Sequence, residues 1–153
     1  MKYRTQPQTV VLSVILFLLT LIALSVFGSE VPLDKDFVNA IHQVETSGRT
    51  GPIMGNRGEI GPLQITHRYW RDARISGKFT DCSELTYSVK VITAYLNRFA
   101  RQAVVEHNYE TLARLHNGGP KWRFKPHTKI YWAKVKCQLT ISQGSDTILY
   151  DQN

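Results

Sequence analysis

Glu45 is the residue of this chain best placed to do acid chemistry. Behind Asp34 as a helix cap, Phe37, Val38, Ile41 and Val44 recur at helical spacing, and Glu45 falls on the register of Phe37, Val38 and Ile41. A side chain on that face turns inward. Burial disfavours the charged form of a carboxyl and raises its pKa, which keeps at neutral pH the proton that a leaving oxygen needs. The competing reading is a surface glutamate near a helix end, the commoner place for this residue type. Other reactive types are less suggestive. His42, His67 and His107 lack H-x3-H or H-E-x-x-H spacing, so no zinc site is expected and no metal or organic cofactor is implied. Cys82 and Cys137 are far apart and lack C-x-x-C spacing; both follow the export segment described below, so they are expected to form a disulfide, with free thiols as the alternative.

The elements that must position Glu45 follow from periodicity and turn chemistry. The first helical pattern stops at Thr46-Ser47-Gly48. Gly48, Gly51, Pro52, Gly55, Gly58 and Gly61 then suit turns and a short β-hairpin. From about Pro62, the residues Leu63, Ile65, Tyr69 and Trp70 predict a short helix that ends before Ser76-Gly77-Lys78. A longer helix carries Val89, Ile92, Tyr95, Leu96 and Phe99 on one face, with Lys90, Asn97, Arg98 and Arg101 on the other. Tyr109 to about His116 forms a short helix with Leu112 and Leu115 inward, stopped by Gly118-Gly119. Thr128 to about Leu139 is a last helix whose apolar positions are Ile130, Tyr131, Val135 and Leu139, and residues 142–153 are expected to be a loose polar tail. No repeat or low-complexity tract is present. The result is an α+β fold, mainly helical, with one small early β-hairpin.

Four segments, IHQVETSGR, GEIGPLQITHRYWRDA, YETLARLHNGGP and TKIYWAKV, stand in the order and near the spacing found in invertebrate-type lysozymes and their bacterial relatives. The chain resembles that family from Phe37 to about Val135. The resemblance implies a lysozyme-like fold and places the general acid on Glu45, where VETSG is similar to the family's VES motif with one residue inserted. It implies that Gln64, in GPLQI, contacts the sugar chain, and that His116, Asn117 and Gly118 border the same cleft. A helix cap and tight turn account equally well for HNGGP. Tyr69, Trp70, Tyr131 and Trp132 are candidates for stacking on sugars, although aromatics at helical spacing are more often core.

One departure bears on mechanism. Family members that use two carboxylates carry an Asp shortly before GPxQI; this sequence has no Asp between Glu45 and Gln64, and the aligned position falls near Asn56. Glu59 is the only acid in that window. Glycoside hydrolysis generally uses two carboxyl groups, about 5 Å apart for retention and about 6.5–9.5 Å apart for inversion. Either Glu59 is the second group, or a single acid suffices as in the goose-type lysozymes and lytic transglycosylases that the chain also resembles, or activity is lost and a non-catalytic glycan-binding envelope protein remains. Asp72, after Trp70-Arg71, reads as a helix-surface charge. The implied activity is that of a muramidase cutting the β-1,4 bond between N-acetylmuramic acid and N-acetylglucosamine, with peptidoglycan strands as the partner.

The bulk properties are compatible with that reading. Lys2 and Arg4 precede an uncharged run, Val10 to Phe27, with the basic start and apolar middle of a secretory signal. Its length also reaches the range of a membrane span, so residues 1–28 are a signal peptide or a signal anchor, and 29–141 the exported domain, secreted, periplasmic or anchored outside. Membrane contact is expected only if that segment is retained. The chain has 153 residues and a net charge of +7, which favours anionic envelopes. The basic residues read as scattered and no recognition motif is present, so nucleic acid is not expected.

Overall fold

The computed structural model describes residues 29–150, with side chains through Ser142; the expectations for residues 1–28 and for the last three residues fall outside the described part. Among the described residues, no helix is long and apolar enough to cross a membrane.

Among the described residues, five α-helices build the domain. Helix α1 (Lys35–Thr46) starts where Asp34 Oδ1 accepts the amides of Asp36 (2.8 Å) and Phe37 (3.1 Å), satisfying two of the donors that open a helix. It stops at Ser47, whose left-handed φ of 55° ends the helix. Of the predicted apolar positions, Phe37 and Ile41 are buried, together with Ala40, whereas Val38 and Val44 are partly buried. Helix α2 (His67–Ala73) is capped by Thr66, whose hydroxyl accepts the Tyr69 amide. A 3-10 turn (Phe79–Ser83) leads into α3 (Leu85–Val105), which buries Val91, Ile92, Tyr95 and Leu96 and bends at Ala100, where φ is −154°. Phe99, expected on the inner face, is 39% exposed just before that bend. Helix α4 (Tyr109–Gly118) buries Leu112 and Leu115, and a second 3-10 turn (Trp122–Phe124) precedes α5 (His127–Tyr150). The core lies where α5 packs on α1 and α4, and where α3 packs on α2 and α4.

Several expectations are corrected. The early β-hairpin is absent among the described residues: residues 51–65 hold only single bridges, Met54 with Ile60 and Ile60 with Ile65. Left-handed backbone at Gly58, Gly61 and Gln64 turns the chain every three residues, so no two extended runs lie side by side. Leu63 and Ile65 belong to this loop rather than to α2, yet both are fully buried and anchor it to the core. The polar tail is not loose up to Tyr150, because α5 continues to that residue. The predicted disulfide is not formed: both cysteines are free. Cys82 is wholly buried on the first 3-10 turn, whereas Cys137 is on the exposed face of α5, opposite Val135 and Leu139.

Burial first, and then the neighbouring Asp81 carboxylate, push the Cys82 thiol up to about 11, so it remains an inert thiol at neutral pH. A chromogenic disulfide reagent at pH 8 is therefore expected to titrate one thiol per native chain, Cys137, and two after denaturation; two fast-reacting thiols in the native chain would contradict this placement.

Candidate active site

Glu45 sits in the last turn of α1 with its side chain 18% exposed. Its carboxylate is met from two other helices rather than by apolar groups alone. The Tyr131 hydroxyl, on α5, donates to Glu45 Oε1 at 2.6 Å, and His116 Nε2, on α4, stands 3.5 Å from the same oxygen. His116 Nδ1 is in turn 3.1 Å from the Tyr69 hydroxyl of α2, and the Tyr69 ring stacks on Tyr95 of α3 with centroids 3.6 Å apart. Burial first, then the charge of Glu45 and the bond to it, hold the Tyr131 hydroxyl well above its ordinary pKa; burial, Tyr95 and Glu45 do the same for Tyr69. Both phenols therefore stay protonated donors. His116 stands between two groups, with Nδ1 toward the Tyr69 hydroxyl and Nε2 toward Glu45. Oε1 is thus engaged on the protein side.

The glycine-rich loop brings a second carboxylate. Glu59 is 8% exposed, with Oε2 accepting the Arg57 amide at 2.8 Å and Oε1 paired with Arg57 Nε at 3.0 Å. Burial alone would raise its pKa, but backbone amides and the Arg57 guanidinium outweigh that and leave it below the ordinary carboxylate value. Glu59 is therefore held in its ionised form. Gln64 is held in left-handed backbone, φ 48°, a conformation that costs a non-glycine residue about 1–3 kcal/mol. Its side-chain amide donates to the carbonyls of Gly61 (2.9 Å) and Ile53 (3.3 Å), which aims Oε1 the other way. Gly55 explains how these groups converge: a Cβ there would collide with Gln64 Oε1 and lie 2.6 Å from Glu59 Oε2. The missing side chain is the space in which both head groups stand. This loop is tied to α1 by Thr46, whose buried hydroxyl donates to the Pro62 carbonyl at 2.9 Å.

An open cleft of about 610 Å³ runs between these parts. Glu45, Asn56, Glu59, Gln64, His116, Asn117 and Gly118 all line it, so the two expected carboxylates and the polar residues of the motifs stand on one surface. Gly118 serves packing: a Cβ would lie 2.6 Å from Thr128 Cγ2 and 2.9 Å from Trp122 Cβ. Asp72, read as a helix-surface charge, lines the cleft as well, 3.6 Å from Arg68. Of the four candidate stacking aromatics, only Tyr69 lines it; Trp70 donates its indole N–H to the Tyr87 hydroxyl, and Tyr131 is a buried donor to Glu45. Among the described residues no group of three or more His, Cys, Asp or Glu could hold a metal ion.

Residues 34–137 match the Destabilase family, more than half of the chain. The chain belongs to the destabilase family. This destabilase-family chain is 35% identical to a lysozyme of Ostrea edulis over 86 residues, 55% of this chain and 63% of that protein. It is 37% identical to an invertebrate-type lysozyme of Ruditapes philippinarum, over 56% of this chain and 68% of that one. For lysozyme 1 of Crassostrea virginica the match spans 46% of the relative's length, so the chain covers less than two thirds of two of these three relatives. Its fold is similar to that of the crystal structure of Tapes japonica lysozyme, with a TM-score of 0.57 at 28% identity over 67% of this chain and 88% of that one. A second similar structure, TM-score 0.56 at 25% identity over the same shares, is Meretrix lusoria lysozyme in complex with Aeromonas hydrophila PliI. The mainly helical, lysozyme-like fold expected from the sequence is thus borne out.

Tyr131 was missed as part of the Glu45 site because 86 residues separate the two. Arg57 was missed as well, although its place two residues before Glu59 in a tight turn is a local signal.

Gly55→Ala is expected to displace the Glu59 and Gln64 side chains and to destabilise the fold by about 1–3 kcal/mol, as overpacking does. Thermal melting of the variant beside the wild type checks this. Glu59 also makes stability depend on pH. Because its folded pKa is depressed, its contribution is complete above the unfolded value of 4.5 and is lost as pH falls through the lower folded value. In Glu59→Gln that portion of the acid destabilisation should vanish, as melting temperatures between neutral pH and pH 3 would report.

Proposed function

We propose that this destabilase-family chain is an exported muramidase that cleaves the β-1,4 bond between N-acetylmuramic acid and N-acetylglucosamine in peptidoglycan. Glu45 acts as the general acid. Its Oε1 is engaged by Tyr131 and His116, which leaves Oε2 to deliver a proton to the glycosidic oxygen of a strand lying in the cleft. Glu59 is the second carboxylate, kept ionised by Arg57 and backbone amides, as a group that stabilises positive charge at the sugar or activates water must be. Asn56, Gln64, His116 and Asn117 contact the sugars. The observation that carries this reading is that one open cleft is lined by both carboxylates and by the polar residues of the GPLQI and HNGGP motifs.

A specific feature favours a second reading. The Glu59 carboxylate is paired with Arg57 at 3.0 Å, so its charge is partly compensated. A single-acid lytic transglycosylase, in which Glu45 works without a second carboxylate, fits that pairing.

Purified cell walls separate these readings. Glu45→Gln is expected to lower the rate of turbidity loss at least a hundredfold, the scale of general acid catalysis. Clearing equally negligible in wild type and Glu45→Gln would leave a glycan-binding protein instead. If Glu59 is the second group, Glu59→Gln should produce a comparable loss and the wild-type products should carry reducing ends. Anhydro ends, with clearing intact in Glu59→Gln, would establish the transglycosylase.

A further inference from the structure

The basic residues are less scattered along the chain than their spacing suggests. Seven of the 19 Lys and Arg lie in residues 111–145, a stretch without Asp or Glu, so the remaining twelve face all twelve acidic residues of the chain. The net charge of +7 therefore resides in that stretch. Arg114 is buried and paired with Glu110. The other cations are exposed: Lys121, Arg123, Lys125 and Lys129 around the second 3-10 turn and the start of α5, and Lys134 and Lys136 further along that helix.

Within residues 121–136 of this stretch stand two large apolar side chains that the fold leaves exposed. Phe124 is 86% exposed, the most exposed of the large hydrophobic residues among those described, and Ile130 is 66% exposed. Phe124 is presented on a fixed support. Its neighbour Trp122 is buried between two guanidinium groups, with Arg114 4.3 Å and Arg123 4.7 Å from the ring centroid, and Lys125 Nζ donates to the Gly118 carbonyl at 2.7 Å. A projecting aromatic ring flanked along the chain by Arg123 and Lys125 is poorly suited to water, and repulsion between the cations disfavours a second copy of the same surface. It is suited to a surface that is anionic at the top and apolar beneath.

We infer that the turn Trp122–Phe124 and the first turn of α5 dock on an anionic phospholipid bilayer, with Phe124 entering the headgroup boundary and Arg123, Lys125 and Lys129 meeting lipid phosphates. This surface is distinct from the apolar N-terminal run and needs no catalysis, so its test stands apart from the muramidase reading. Lys121 and Lys125 also line the cleft, which makes the docking face continuous with the cleft rim. A bilayer held there lies beside the glycan groove.

The full-length chain, co-sedimented with phosphatidylglycerol-containing vesicles and with pure phosphatidylcholine vesicles, provides the test. The expected result is partition onto the anionic vesicles at least tenfold stronger than onto the neutral ones, and weakened by salt. Phe124→Ser should reduce the anionic partition about tenfold, the scale of withdrawing one aromatic side chain from an apolar phase. Arg123→Gln and Lys129→Gln should each reduce it about fivefold. Partition onto neutral vesicles should be little changed by Arg123→Gln and Lys129→Gln, which act through the net charge of the lipid surface. Equal partition onto both vesicles, anionic partition insensitive to Phe124→Ser, or retention on DNA or wall polymer without vesicle binding would each overturn the inference.

Discussion

A carboxylate at the end of a helix, turned toward the core, must find donors or remain a liability, because an unpaired buried charge costs several kcal/mol. Glu45 finds them on two other helices, in the Tyr131 hydroxyl of α5 and the imidazole of His116 on α4. That requirement constrains the whole domain. Helix α5 must lie along α1 in the register that brings Tyr131 to the last turn, with Val135 and Leu139 buried on the same face. Helix α4 must present His116 in its last turn, and α2 must supply Tyr69 behind the imidazole, itself stacked on Tyr95 of α3. All five helices contribute to the placement of one side chain.

The loop between α1 and α2 solves a different problem. It must carry Glu59 and Gln64 to the cleft, yet it has too many left-handed positions to form strands. Burial of Ile60, Leu63 and Ile65 holds it to the core, and the bond from Thr46 to the Pro62 carbonyl ties it to the helix that bears Glu45. Gly55 then gives up a side chain so that a carboxylate and an amide can stand over its backbone. The strained backbone at Gln64 fits a residue whose side chain is oriented for function rather than for local comfort.

The electrostatics of the cleft are divided between the two carboxylates. Glu59 is surrounded by backbone amides and a guanidinium, which favour its charged form. Glu45 instead has one oxygen that accepts from the Tyr131 phenol, kept protonated by burial, and that faces the imidazole of His116. Two carboxyl groups in unlike surroundings can take unlike roles in one reaction, which a matched pair could not do without sharing a proton.

Much of this was legible in the sequence because it depends on local rules. Helical spacing with the Asp34 cap revealed α1, Gly118-Gly119 marked the end of α4, and the motifs around Glu45, Gln64 and His116 indicated both the family and the cleft. The hairpin was misread because glycine-rich turns promise strands only when extended runs flank them, and here positive φ recurs too closely. The disulfide was misread because sequence reports that two thiols exist and not which way they face; only the packing of α5 turns Cys137 to solvent while Cys82 is enclosed. Composition, helix periods and motif order are properties of neighbours along the chain, so the sequence by itself determined them. The partnership of Tyr131 with Glu45, the convergence of Glu59 and Gln64 over Gly55, and the exposure of Phe124 depend on residues distant in the chain meeting or failing to meet, and only the tertiary structure decided those.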